Sequence, residues 1–160
     1  KVCITQNLCL TYCKKLFSMH KVSDILNRKG AQVTVVAPDT TVIEALRVMA
    51  EKNIGSVVVM ERDRFLGILT ERDYSRKVIL MGRHSSDTPV SEIMSADFPS
   101  ITLTDTVEHC MQLMSSRRIR YLPVMQNDQL AGIISMNDVV AETIISQQQT
   151  ISQLENYLQS

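Results

Sequence analysis

Residues 65–75 read FLGILTERDYS, and residues 130–140 read LAGIISMNDVV. Each is a short apolar run holding a glycine (Gly67, Gly132), closed by a hydroxyl residue (Thr70, Ser135) and followed three positions on by an aspartate (Asp73, Asp138). Laid on itself so that the two aspartates coincide, the chain pairs Thr41 with Thr106, Val42 with Val107, Met49 with Met114 and Ile54 with Ile119. The pairing continues without a gap through Val59 and Met60 onto Val124 and Met125. A second echo, VSDIL at 22–26 against VSEIM at 90–94, opens each copy at a slightly different offset. The chain is an internal duplication, so its fold is to be built from two copies of one unit.

Within each copy the periodicity changes in the same order. Val42, Ala45, Leu46, Met49 and Ala50 recur at helical spacing, as do Val107, Cys110, Met111 and Met114, which predicts amphipathic helices. Thr41 with Glu44, and Asp105 with Glu108, supply capping signals at their starts. The β-branched runs SVVVM (56–60) and YLPVM (121–125) follow, each with a polar turn and a second apolar run, which is a hairpin pattern. A further helix is expected after Thr70 and after Ser135. Each copy therefore reads strand, helix, strand, strand, helix, an α+β class. Such a unit of about 60 residues buries too little surface alone, and a sheet with helices on one side leaves its other face apolar. Two pseudo-twofold related β-α-β-β-α units packed sheet to sheet, with two equivalent clefts between them, are the expected architecture.

Composition bounds the function. The 160 residues hold 17 basic and 17 acidic side chains, 44% hydrophobic and 21% charged, a balance that argues against a nucleic-acid or anionic-membrane binder driven by charge. No apolar run approaches the roughly 18 residues that span a bilayer. Cys3, Cys9 and Cys13 crowd the first thirteen residues, apart from Cys110. This is neither a disulfide framework nor a zinc spacing, so no metal is predicted and a reducing, cytoplasmic setting is expected. Residues 1–18 lack a clean apolar core for a signal peptide and read as a leader outside the fold.

The repeated motif admits two readings. Thr70-x-x-Asp73 and Ser135-x-x-Asp138 fit an N-cap with an acidic third helical residue, although glutamate or glutamine is the usual reciprocal partner and capping needs no preceding glycine. Alternatively, a helix N-terminus and its hydroxyl suit a phosphate. An aspartate on the first turn accepts from both hydroxyls of a ribose, and a glycine allows close backbone approach. A ribose plus a phosphate is a nucleotide. Arg72, Arg76 and Lys77 follow the first motif, while Arg118 and Arg120 alternate on a stretch read as extended and are the favoured phosphate partners. Ile54, Gly55 and Ser56, with Tyr121, Leu122 and Pro123, are candidate walls of a flat purine pocket, with core packing as the competing role. Pro123 inside a strand run points to an edge or a strand start.

Together GILTERD (67–73), RIRYLPV (118–124) and GIISMND (132–138) make the chain resemble a tandem pair of CBS domains, the Bateman module, over roughly residues 20–145. TERDYSRK (70–77) resembles in particular the small stand-alone CBS-pair proteins. The resemblance implies a regulatory homodimer that binds adenosine compounds such as AMP, ADP, ATP, NAD or S-adenosylmethionine in its clefts. It also implies that Asp73 and Asp138 hold ribose, that Thr70 and Ser135 lie at ribose or phosphate, and that Arg118 and Arg120 are phosphate candidates. Ser135-Met136-Asn137 departs from Thr70-Glu71-Arg72, and Tyr121 stands where this subgroup often has histidine, so the two sites are expected to be unequal.

The expected organisation is a leader (1–18), one CBS unit (19–81), a linker (82–89), a second CBS unit (90–145) and a C-terminal helical extension (146–160). Neither a GxxxxGK loop, a GxGxxG helix opening nor a GxSxG elbow is present, and His20, His84 and His109 stand apart, so no catalytic activity is expected. The competing function is a protein-interaction module with vestigial clefts. Its motive is the heptad recurrence of Ile144, Ile151 and Leu158 with Leu154 between them. The target protein that would respond is not legible.

Overall fold

The computed structural model describes residues 20–159; the leader expected at 1–18, with Cys3, Cys9 and Cys13, lies outside them. The duplicated pattern becomes α1 (Val22–Lys29), β1 (Val35–Val36), α2 (Val42–Lys52), β2 (Ser56–Glu61), β3 (Arg64–Thr70) and α3 (Glu71–Tyr74), the last running into a π-helical turn, Ser75–Ile79. After it come α4 (Val90–Ile93), α5 (Val107–Arg117), β4 (Tyr121–Gln126), β5 (Gln129–Ser135) and α6 (Met136–Gln159). The class is α+β, as expected.

Local chemistry sets most of these boundaries. Thr41 caps α2 through a reciprocal box, its N–H donating to Glu44 Oε2 at 3.1 Å and its Oγ1 accepting from Glu44 N at 3.4 Å. The equivalent α5 is capped by Thr106, which accepts from His109 N at 3.1 Å, and not by the expected Asp105. Asp105 is engaged one turn earlier, accepting from Thr102 N at 2.6 Å and Thr102 Oγ1 at 2.8 Å. That side-chain turn also explains why the opening strand expected for the second copy is only an isolated bridge residue, Ile101: the chain turns again directly after it. Helices α2 and α5 each end on a left-handed residue, Asn53 (φ 52°) and Arg118 (φ 53°). The β4–β5 hairpin turns on Asn127 and Asp128, both with positive φ, as a two-residue reversal requires.

The chain forms two compact units, and they cut across the repeat. The sheet unit comprises Ala31–Ser100 with Pro123–Ile133. In it β1 pairs parallel with β2, and β2 antiparallel with β3, with Ser56 opposite Thr70 and Val59 opposite Gly67. Its core gathers Val42, Ala45 and Met49 from α2, Val57 and Val59 from β2 and Leu69 from β3, with Val90 and Ile93 of α4. Met49 and Leu69 are at most 1% exposed, and full burial of such side chains stabilises by about 1.5–3 kcal/mol each. Among the described residues the helical unit comprises residues 20–30, Ile101–Leu122 and residues 134–159. In it α1 and α5 both pack on α6, burying Val22, Ile25, Val107, Cys110, Met114 and Val139.

The two echoes VSDIL and VSEIM therefore exchange places. VSDIL, from the first copy, packs with the second copy's helices, and VSEIM, from the second, completes the first copy's core. Backbone ties fix both: Lys21 bridges to Thr106, and Pro89 to Thr41.

Candidate functional site

In the sheet unit, the end of β3 delivers Thr70 to the start of α3, where it forms a complete capping box. Asp73 Oδ2 accepts from Thr70 N at 3.1 Å and Thr70 Oγ1 at 2.6 Å, while Asp73 N donates to Thr70 Oγ1 at 3.2 Å. The other oxygen, Oδ1, accepts from Ser95 Oγ at 3.0 Å and pairs with Lys77 Nζ at 2.9 Å. Lys77 reaches onward to the Ile93 carbonyl at 2.7 Å, so it ties the carboxylate to the end of α4. The π-helical turn carrying Lys77 is a geometry often found at functional sites. Burial opposes ionisation of Asp73, but hydrogen bonds from Thr70, the hydrogen bond and charge of Lys77, and the Ser95 hydroxyl outweigh it, so its pKa lies below the ordinary value.

The helical unit repeats this arrangement at the end of β5. Asp138 Oδ2 accepts from Ser135 N at 2.7 Å and Ser135 Oγ at 2.8 Å, and Asp138 N donates to Ser135 Oγ at 3.2 Å. Its cation is Lys29 of α1, whose Nζ donates to Oδ2 at 2.7 Å. Burial again opposes ionisation and is outweighed, here by Lys29 and Ser135, leaving the pKa lowered. The sites differ in one respect: both oxygens of Asp73 are engaged, whereas all the bonds to Asp138 from the described residues converge on Oδ2. The Asp73 side chain is 13% exposed and that of Asp138 is 23%.

The other expected residues fall unevenly around these carboxylates. Ser56 lies opposite Thr70 in the β2–β3 ladder, and Gly55 accepts from Glu71 N at 3.3 Å, so both border the first motif. Ile54 packs against the core, its competing role. Arg72 and Arg76 are exposed on α3 and the π-turn. In the second copy the Arg120 carbonyl accepts from Met136 N at 2.9 Å, which puts Arg120 beside the Ser135 motif. Tyr121 is half-buried, and Leu122 and Pro123 are buried in β4, within a two-stranded sheet where either strand is an edge and a missing N–H is tolerated.

One local expectation needs correction. Arg118 is a left-handed helix cap, so it does not alternate with Arg120 on an extended stretch. At each helix start two N–H groups are committed within the chain, those of Glu71 and Asp73 at the first and those of Met136 and Asp138 at the second. Gly67 does allow a close backbone approach, and the backbone is the chain's own: a Cβ there would stand 2.4 Å from the Ser95 carbonyl oxygen, which receives the Ile68 N–H at 2.9 Å.

Sequence reasoning missed Ser95 and Lys29. Each follows one of the exchanged echoes, and each meets the aspartate of the other copy. The echo itself was the signal, but its exchange was not visible. Among the described residues, no group of three or more His, Cys, Asp or Glu is placed to hold a metal, and no helix is long and apolar enough to cross a membrane.

The CBS domain family matches the chain twice, over residues 22–79 and 90–144, and the protein belongs to that family as a tandem pair. CBS pairs of this kind are regulatory modules. The mitochondrial CBS domain-containing protein CBSX3 of Arabidopsis thaliana is 34% identical over 152 residues, covering 89% of this chain and 74% of that protein. A solved CBS-domain protein from Burkholderia ambifaria is 40% identical with a TM-score of 0.76, the match covering 79% of this chain and 96% of that one. A CBS domain protein from Pyrobaculum aerophilum, solved in complex with AMP, shares the fold at 22% identity and a TM-score of 0.65, over 74% of this chain and 88% of that one.

Proposed function

We propose that this chain is a non-catalytic regulatory and signal-transduction module, a cytoplasmic homodimer that senses an adenosine nucleotide (AMP, ADP, ATP or NAD) at Asp73 and Asp138. The observation that carries this reading is the twice-built carboxylate: partly buried, held ionised, oriented by a hydroxyl residue and placed beside a lysine. An oriented carboxylate with acceptor capacity to spare suits a ribose diol, and a lysine at hand suits the phosphate that follows it. AMP bound to a family member of the same fold supports the ligand class. The Asp138 site is the better acceptor, because Oδ1 has capacity left after the contacts to Oδ2. At Asp73 a ribose must displace Ser95 or Lys77 from Oδ1, and that exchange is where binding can move α4. Only a ligand with different affinity for two arrangements shifts their populations.

The second reading, an interaction module with vestigial sites, is favoured by one observation: Asp73 is already saturated by its own chain. A thermal-shift titration with AMP, ATP, NAD and S-adenosylmethionine, beside Asp73→Ala and Asp138→Ala, separates the two. Ligand at a hundred times its dissociation constant adds about 2.7 kcal/mol, and Asp138→Ala is expected to abolish most of that gain. If no nucleotide shifts the native chain and both variants merely melt earlier, the aspartates are caps and the nucleotide reading fails.

A further inference from the structure

Helix α6 carries two faces of opposite fate. Val139 and Glu142 are fully buried against the helical unit, Glu142 receiving His20 and, at 2.9 Å, Arg28 from the α1 side. At about 100° per residue, Val140, Ile144, Ile151, Leu154 and Leu158 fall on the roughly opposite side, and they are 44–83% exposed. In heptad terms Ile144, Ile151 and Leu158 occupy one seam position (a), and Val140, Gln147 and Leu154 the other (d). Past Glu142 the helix bears a single charge, Glu155, amid Gln, Ser, Thr and Asn. A segment of that composition is a marginal helix alone in water and depends on packing of its apolar face.

We infer that this stripe is the seam of a parallel, two-stranded coiled coil formed with a second copy of the same chain. β-Branched residues at a with leucine at d favour two parallel strands, and Ile144, Ile151 and Leu154 meet that rule. Gln147, the polar residue in the seam, points to a like partner: its amide both donates and accepts, so the same amide across a twofold satisfies it in one register. An apolar partner would leave that amide unpaired, and an oppositely charged one would find only Glu155 to meet. The flanking positions raise no obstacle, since Glu155 at e would face Thr150 of the second copy at g. This interface goes beyond the nucleotide reading and stands without it.

The test is disulfide trapping in the full chain. Gln147→Cys places a thiol on the seam, and Gln149→Cys places one on the opposite side; the unsubstituted chain supplies the background from its own cysteines. Under mild oxidation Gln147→Cys is expected to give a linked dimer several-fold faster than Gln149→Cys. Adding Ile151→Glu with Leu154→Glu, both at exposed positions, should remove that advantage while circular dichroism keeps the fold signature. Equal trapping at the two positions overturns the proposal. So does sedimentation at the mass of one chain across the concentration range.

Discussion

Asp73 and Asp138 show how one residue can serve two masters. Each closes a capping box, worth roughly 1 kcal/mol at such a position, and each keeps its charge through donors that outweigh the cost of burial. Because both pKa values are lower in the folded chain, the unfolded chain binds protons first. Their contribution to stability is therefore complete above the ordinary aspartate pKa of about 4. It declines as the pH falls through that value and vanishes below the folded ones. Asp73→Asn with Asp138→Asn is expected to flatten the fall in melting temperature between about pH 5 and pH 2, as read by scanning calorimetry. Cys110 behaves oppositely: burial, aided by the charge of Asp105, pushes its thiol up to about 11, which leaves it protonated and inert at neutral pH.

Among the elements, α1 shows what a pattern reveals and what it withholds. The echo VSDIL was legible, but it was not assigned to a helix, and Arg28 and Lys29 were not singled out. They form a double clasp on α6, Lys29 on Asp138 and Arg28 on the buried Glu142. Arg28→Ala removes one partner of a buried carboxylate while His20 remains, and is expected to cost about 1–3 kcal/mol in urea denaturation. Replacing all three members of the cluster, His20→Phe and Arg28→Met with Glu142→Leu, should recover much of that loss, because an apolar set leaves neither a charge nor a ring nitrogen stranded. Helices α2 and α5 and both hairpins were readable from period and turn chemistry. The cap at Thr106 and the shortened opening of the second copy were not, because each depends on which of two adjacent hydroxyl or acidic side chains the backbone selects, and neither was the left-handed Arg118, since arginine seldom adopts that conformation.

At the scale of the molecule, the duplication and the family were legible, and the two aspartates stood out from it. The exchange of opening helices was not, since VSDIL and VSEIM share one apolar spacing and either body accepts it on pattern alone. Ser95 and Lys29 were invisible for that reason, although they complete the two sites. The exchange also bears on where a fragment can be cut. A chain ending at Met81 keeps β1, β2, β3 and α2 but loses Val90 and Ile93 from their core, and is expected to show no cooperative urea transition. One extended to Ser100 regains those residues, and should recover a measurable transition by circular dichroism.

The clasp between α1 and α6 joins residues 114 positions apart. With ribosomes adding about 5–20 residues per second, Arg28 emerges roughly 6–23 seconds before Glu142 exists to receive it. Until α4 emerges, Val22, Ile25 and Leu26 have no intended seat, and the sheet unit, itself waiting for Val90 and Ile93, offers an apolar surface of matching spacing. The nascent chain thus carries its own competitor for the site of α4, and VSEIM must displace VSDIL, or arrive before it settles, for the finished molecule to form.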